Sequence, residues 1–416
     1  MSILSSILQA REVRYDRICQ LNRHWPTVLS VRVNFPGTNK NHALAYLVFH
    51  AFSDSSLGIE FMEKHIFQSD DGPYILYACQ LDAKQVKEKS VAFENSHPLG
   101  RLFDIDVYHH QQALERSVKR QCLICDDMAH VCVREKRHSL ESVIQVIENC
   151  VLDMYSSQLL AMIDQAFMEE LELEPKFGLV TKHRSGSHKD MDYDLMVKAK
   201  TVILPYFKKL FLLSVSSEIK IIDYLDEVIH IGQSAENAMF QATGGVNCYK
   251  GLIFHIGLIV VTYGYYLTRE VKSSFQEVLQ IFAKELVKQL PSGDTYGQYA
   301  YRKYRISGAK GEALSGYHHA ICALKKESNL LKRLMYLMIR VEDTNLLKRA
   351  GSFETYLKVK EAVSCLDQTK MDEINQFSEA CEKKGLSFGG SADMLVVSIL
   401  LDKLEKNHDF LVLLDE

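Results

Sequence analysis

YFKKLFLLSVSSEIKIIDYLDEVIHIGQSAENAMFQATGGVNCYKGLIFHIGLIVVTYGYYLTREVKSS, residues 206–274, decides the class of the C-terminal part of this chain. It holds no proline, and its apolar residues recur every three or four positions, the spacing that lines one face of a helix. Gly316 to Leu386 repeats that pattern, so residues 151–416 are expected to form an all-α domain. Upstream, VLSVRVNF at 28–35 and YILYACQL at 74–81 are strand-like segments set among helical stretches, which predicts an α+β domain over residues 1–150. Four prolines and four glycines fall before residue 150, against three prolines and 17 glycines after it. Ser139 to Glu170 reads as helix throughout, and no Pro-, Gly- or Ser-rich linker separates the halves, so the boundary is placed near Cys150, to within about ten residues.

At 416 residues the chain exceeds the size at which single cores stop growing, in keeping with two domains. A net charge of -4 argues against a nucleic-acid or membrane-surface binder, since such proteins neutralise phosphate with a basic excess. Any polyanion must therefore be met locally, and six Lys/Arg against two acids in the first 50 residues supply one such locality. The longest uncharged run, Gly251 to Thr268, is interrupted by His255, Gly257, Thr262 and Gly264 and falls short of the roughly 20 apolar residues of a spanning helix, so it reads as a core helix. MSILSSILQAREVR lacks the basic start of a signal peptide. Ten cysteines without such a signal predict reduced thiols in the cytoplasm.

Chemistry concentrates in short glycine-rich clusters. GLVTKHRSGSHKDMD at 178–192 combines glycines, which let backbone approach a ligand, with Lys182, Arg184 and Lys189 for phosphate oxygens. Its Asp190 and Asp192 are hard oxygen ligands suited to Mg²⁺. GGVNCYKG at 244–251, GAKGEALSG at 308–316, VEDTNLLKRAG at 341–351 and FGGSAD at 388–393 follow. In this order, over roughly residues 155–400, the motifs resemble the triphosphoribosyl-dephospho-CoA synthases. The N-terminal elements REVRYDR (11–17), NFPGTNK (34–40), HPLGRLFDIDV (97–107) and RQCLICDDMAHVCVREKRH (120–138) resemble the apo-citrate lyase phosphoribosyl-dephospho-CoA transferases. Transferase followed by synthase resembles the bifunctional fusions that mature the citrate lyase prosthetic group.

The synthase resemblance implies that ATP and 3′-dephospho-CoA are joined at a ribose carbon with release of adenine. The transition state is oxocarbenium-like, and carboxylates and Mg²⁺ are the expected means of stabilising it. On that reading Asp190, Asp192, Asp343 and Asp393 hold Mg²⁺ or sugar, and Glu236, Glu312 and Glu342 are candidates for the general base. Lys182, Lys189, Lys250, Lys310 and Arg349 would meet phosphates, while Asn247, Asn345 and Ser391 complete the substrate set. The sequence does not rank the carboxylates among these roles, and Asp343 also reads as a helix N-cap. One departure from the family pattern is Cys248-Tyr249, where Thr-His is usual.

In the first domain, Asp104 and Asp106 alternate with Phe103, Ile105 and Val107, a strand pattern that turns both carboxylates to one face and the apolar side chains to the core. The resemblance implies that they hold Mg²⁺ while a serine of the citrate lyase acyl-carrier (γ) subunit attacks the α-phosphate and pyrophosphate leaves. Arg11, Arg17, Lys40 and Arg101 would bind the phosphates. Cys122, Cys125, Cys132 and His138 have donor types suited to structural zinc, but their irregular spacing favours buried thiols instead. Two alternatives stay open: the same chemistry serving a malonate decarboxylase carrier, and a non-catalytic assembly factor of the lyase.

Overall fold

The computed structural model describes residues 3–53, 55–116, 119–215, 224–269, 273–290 and 295–407. The chain separates into two compact units, Met1–Tyr155 and Ser156–Glu416. The division falls inside helix α5 (Leu140–Leu171), numbering helices along the chain.

The first unit is built on a five-stranded antiparallel sheet ordered β2-β3-β1-β4-β5. Its strands are β1 (Thr27–Val33), β2 (Glu63–Phe67), β3 (Tyr74–Cys79), β4 (Phe103–His109) and β5 (Gln112–Ala113). Leu29 and Val31 of β1 share the apolar face with Phe103, Ile105 and Val107 of β4. Helices α2 (Ala43–Ser53) and α3 (Ala83–Ser96) cover that face, with Phe52 and Phe93 packed edge-on and stacked against Phe103. On the other face α1 (Ile3–Leu21) covers one end, where Ile18 packs with Val28, Tyr74 and Leu76. The other end of that face carries Ser30, Arg32, Asp104 and Asp106, so period-two alternation separates a packed side from a charged one.

Every regular element of the second unit is a helix among the described residues. Helices α6 (Tyr193–Ser214), α7 (Leu225–Thr243), α8 (Lys250–Thr268), α9 (Phe275–Gln289) and α17 (Gly389–Asn407) surround its core. The remaining segments are α10 (Tyr296–Tyr304), α11 (Gly308–Leu314), α12 (His318–Lys326), α13 (Leu330–Arg340), α14 (Thr344–Ala350), α15 (Phe353–Ser364) and α16 (Met371–Lys383). Helix α8 is long and apolar enough to cross a membrane, yet 78% of its apolar window is buried within the protein. It is a core helix, packed against α6, α7, α9 and α17. Gly264 permits the approach of α6, because a Cβ there would stand 2.0 Å from Ser214 Oγ.

Candidate active sites

In the second unit the helix ends and inter-helix turns that carry the motifs enclose a cavity of about 1400 Å³. It gathers Asp190, Glu236, Asn247, Lys250, Lys310, Glu312, Glu342, Asn345, Arg349 and Asp393 from five separate motif regions and helix α7. Asp190 also lines a shallower recess of about 430 Å³ with Lys189 and Asp192. Lys182 is exposed and lines neither, so the structure does not bring it to the phosphate-binding position expected of it.

The three candidate bases differ in what already occupies their oxygens. Glu236 is paired with Lys250 at 2.7 Å. Glu342 Oε2 accepts from both the backbone N–H and the hydroxyl of Ser307, each at 2.6 Å. Glu312 is 5% exposed, and its Oε1 accepts from His319 Nδ1 at 2.8 Å while Oε2 is buried with no partner. The Glu312 bond raises the His319 pKa against the opposing effect of burial. An orphaned buried oxygen costs about 1–3 kcal/mol of desolvation, so one retained beside a cavity is an acceptor waiting for a donor.

Asp393 opens partly to the cavity from the first turn of α17. Burial, with Asp343 and Glu170 nearby, holds its pKa well above the usual carboxylate range. Gly251 makes room for it, since a Cβ there would meet Asp393 Oδ2 at 2.5 Å. A hard cation would reverse the penalty on the charged form, so this carboxylate suits Mg²⁺.

Three residues expected to act on substrate or metal, Asp343, Ser391 and Asp192, are engaged at helix ends. Asp343 is 1% exposed and does not line the cavity; it caps α14, with Oδ1 accepting from Asn345 N and Leu346 N at 3.0 Å. Its Oδ2 accepts from Ser391 N at 2.9 Å and Ser391 Oγ at 3.1 Å, which ties the first turn of α17 to α14. With these four bonds, Asp343 and Ser391 join the EDTN and GGSAD motifs, in contrast to the metal and substrate roles expected of them. Asp192 is likewise the N-cap of α6, accepting from Leu195 N at 2.9 Å.

Arg349 also differs from a free phosphate ligand. Its Nη1 donates to Ser187 O (3.2 Å) and Gly385 O (3.0 Å), and its Nη2 to His188 Nδ1 (3.0 Å). Arginine only donates, so His188 Nδ1 is an acceptor and Nε2 carries the proton, donated to Ser387 Oγ at 3.1 Å. Burial, then the Arg349 charge, push the His188 pKa down to about 4. His188 stands within the G-S-H-K-D-M-D motif but was not singled out by sequence reasoning; nor were His319 or the buried Glu170–Lys176 pair, joined at 2.7 Å in the cavity wall. Tyr249 caps α8, and its buried hydroxyl has no partner; burial raises its pKa so far that it is a neutral donor.

The first unit's candidate site is the charged end of its sheet. The pairing of β1 with β4 places Arg32 opposite Asp104 and Ser30 opposite Asp106. Arg32 Nη2 donates to Asp106 Oδ2 at 3.0 Å and to Asp104 Oδ2, and Arg120 Nη1 reaches Asp104 Oδ1 at 3.3 Å. Burial draws the Arg32 pKa down, but Asp104, Asp106 and Asp71 outweigh it and leave it raised. Asp71, 3% exposed at its side chain, accepts from Arg11 (3.1 Å) and Arg14 (2.9 Å). Lys40 Nζ donates to Phe35 O and stands in the field of Asp71, Arg11 and Arg32. Arg17 is engaged with the Tyr74 hydroxyl at 2.6 Å and with the Phe67 ring. Arg101 Nε is buried without a partner, near Arg120 and Arg116. Sequence reasoning counted Arg14 and Arg32 only among the N-terminal cations and did not single out Asp71; strand pairing sets Arg32 beside the two aspartates, and the β2–β3 turn brings Asp71 to Arg14 of α1 and to Arg32.

Residues 156–410 match the family described as ATP:dephospho-CoA triphosphoribosyl transferase, and residues 2–154 match the apo-citrate lyase phosphoribosyl-dephospho-CoA transferases. A protein of Haemophilus influenzae called Protein CitXG is 28% identical over 95% of each chain. Protein CitXG of Leuconostoc mesenteroides subsp. cremoris is 28% identical over 96% of this chain and 97% of its own. The 2-(5″-triphosphoribosyl)-3′-dephosphocoenzyme-A synthase of Haemophilus ducreyi is 28% identical, covering 66% of this chain and 98% of its own. Through its larger unit the chain belongs to the ATP:dephospho-CoA triphosphoribosyl transferase family, and that unit is fused to one of the apo-citrate lyase phosphoribosyl-dephospho-CoA transferase type.

Proposed function

We propose that the second unit joins 3′-dephospho-CoA to the ribose of ATP in the 1400 Å³ cavity, with Glu312 as general base. The observation that carries this reading is the buried, unpartnered Oε2 of Glu312, whose other oxygen is held by His319. Oε2 accepts the proton of the 2′-hydroxyl as that oxygen bonds to the anomeric carbon; the carbon–nitrogen bond breaks, its electron pair leaves with adenine, which takes up a proton from solvent, and Glu312 later returns its own proton to solvent. Lys250 and Lys310 meet the triphosphate, and Asn247 and Asn345 the sugar hydroxyls. Asp393 and Asp190 line the cavity and would hold Mg²⁺, which would neutralise charge on the triphosphate. A positioned base contributes about 10²- to 10⁴-fold. Glu312→Gln is therefore expected to lower adenine release at least about a hundredfold with the KM for ATP little changed; turnover near wild type would remove Glu312 from this role.

The first unit then transfers the phosphoribosyl-dephospho-CoA group to a serine of the citrate lyase acyl carrier, releasing pyrophosphate. Its charged sheet end sets Arg11, Arg14, Arg32, Lys40 and Arg120 against Asp71, Asp104 and Asp106, which leaves a surplus of positive charge for a polyanion. Asp104 and Asp106, about a quarter to a third exposed, share one strand face and fit a hard cation once Arg32 turns to the phosphates. Mg²⁺ there would stabilise the departing pyrophosphate.

A further inference from the structure

Gln121 to Leu140, which follows β5, has almost no core. Among its described residues, Cys132 alone is buried, while Ile124, Met128 and Val133 are exposed. A segment this poor in buried apolar surface is ordinarily held by a cross-link or a metal. Its backbone nevertheless closes on itself. Cys122 N donates to Asp127 O at 2.7 Å, Gln121 pairs with Met128, and Arg137 N donates to Cys132 O at 3.1 Å from beyond α4 (Ala129–Glu135).

These turns bring the Sγ atoms of Cys122, Cys125 and Cys132 and a ring nitrogen of His138 within 4.8 Å of one another. Cys125 Sγ lies 3.5 Å from Cys132 Sγ and 3.3 Å from His138 Nε2. A tetrahedron with Zn–S near 2.3 Å and Zn–N near 2.0 Å has edges of about 3.8 Å between sulfurs and about 3.5 Å from sulfur to nitrogen. Ile124 N also points at Cys122 Sγ at 3.4 Å, the hydrogen bond that a metal-bound thiolate accepts.

We infer that Cys122, Cys125, Cys132 and His138 bind one Zn²⁺ in a closed structural site. The three thiols release their protons to solvent and the imidazole binds in its neutral form. With no open coordination position the metal performs no chemistry. It fixes the loop from which Arg120 reaches Asp104 at 3.3 Å and Glu94 at 2.9 Å, so it serves as a positioning device for the aspartate pair. A disulfide would account for two of the four donors and leave Cys122 and His138 unexplained. This reverses the expectation drawn from the irregular spacing: the Gln121–Met128 turn and the helix after it absorb the irregularity.

The test uses the full-length chain purified under reducing conditions without chelator. Elemental analysis is expected to find one zinc per chain, and Co²⁺ exchanged into the site to give the intense visible bands of tetrahedral thiolate coordination. Cys125→Ser and His138→Ala, both at partly exposed positions, are expected to weaken zinc binding by more than the roughly 10- to 100-fold that follows loss of a ligand's hydrogen-bond partner. Both variants should keep adenine release while carrier modification falls. The inference is overturned if the reduced chain takes up no Zn²⁺ when it is offered, if both variants bind zinc like the parent, or if intact mass shows a native disulfide. The metal count does not depend on the proposed reactions, so it stands or fails apart from them.

Discussion

The two candidate sites handle carboxylates in opposite ways. On the sheet of the first unit each acid already has a cation: Arg32 holds Asp104 and Asp106, and Arg11 and Arg14 hold Asp71. In the helical cavity, burial and then neighbouring acids hold the Asp393 pKa well above the usual carboxylate range, and Glu312 keeps one oxygen without a partner. The first arrangement sets paired acids among cations in surplus, as the proposed binding of a polyanion requires. The second pairs Glu236 with Lys250 but leaves one oxygen of Glu312 open to a donor, which fits the proposed binding of small substrates in the cavity. The two candidate sites thus show two ways of building a charged surface, alternate residues of a sheet and the ends of packed helices.

The sharpest way to break this contrast is at the sheet. Asp106→Asn removes one charge without changing size, so carrier modification supplied with ready-made intermediate is expected to fall at least about a hundredfold. Adenine release should be unchanged; a parallel loss would mean that the two sites do not act separately. Next in size is Asp343→Asn. An amide nitrogen would face the N–H and hydroxyl of Ser391, so up to two charge-assisted bonds worth about 1.5–3 kcal/mol each are lost. A clear fall in Tm is expected, with adenine release lost only as far as the fold is; an unchanged Tm with a dead enzyme would restore the aspartate to the reaction.

The smallest effect concerns pH. His188 has its pKa pushed down to about 4 in the folded chain, against 6.5 for an ordinary histidine. Between those values the unfolded chain binds a proton that the folded chain does not, so stability falls as pH drops through that window. His188→Asn keeps an acceptor for Arg349 and removes the titration. Its urea midpoint should decline less steeply than the parent's between pH 7 and pH 4.5, and equal slopes would show that His188 is not held neutral.

What the sequence made legible was whatever has a short period or a short span. Alternation around Asp104 and Asp106 identified a strand with an acidic face, and three- and four-residue spacing identified the helices. The glycine-rich motifs pointed to the cavity because each sits at a helix end or turn. The partners of these residues were not legible. Arg32 lies 72 positions from Asp104, and Ser391 lies 48 from Asp343; only strand pairing and helix packing bring them together. Asp343 and Asp192 were read as metal or catalytic acids because an N-cap and a ligand look alike in one dimension, although the cap reading of Asp343 was open from its sequence alone. Cys122, Cys125, Cys132 and His138, the proposed zinc donors, were each visible, but their spacing hid the turns that bring them together.

On the proposed function two separate sites act in sequence, and the intermediate released by one is used by the other. Glu312→Gln and Asp104→Asn chains can be mixed with ATP, Mg²⁺, 3′-dephospho-CoA and apo-carrier, following adenine and carrier mass together. Each variant alone should leave the carrier unmodified, the first for want of intermediate and the second with intermediate accumulating. The mixture should regain carrier modification. A mixture as inactive as its components, from chains that are both folded, would contradict the account.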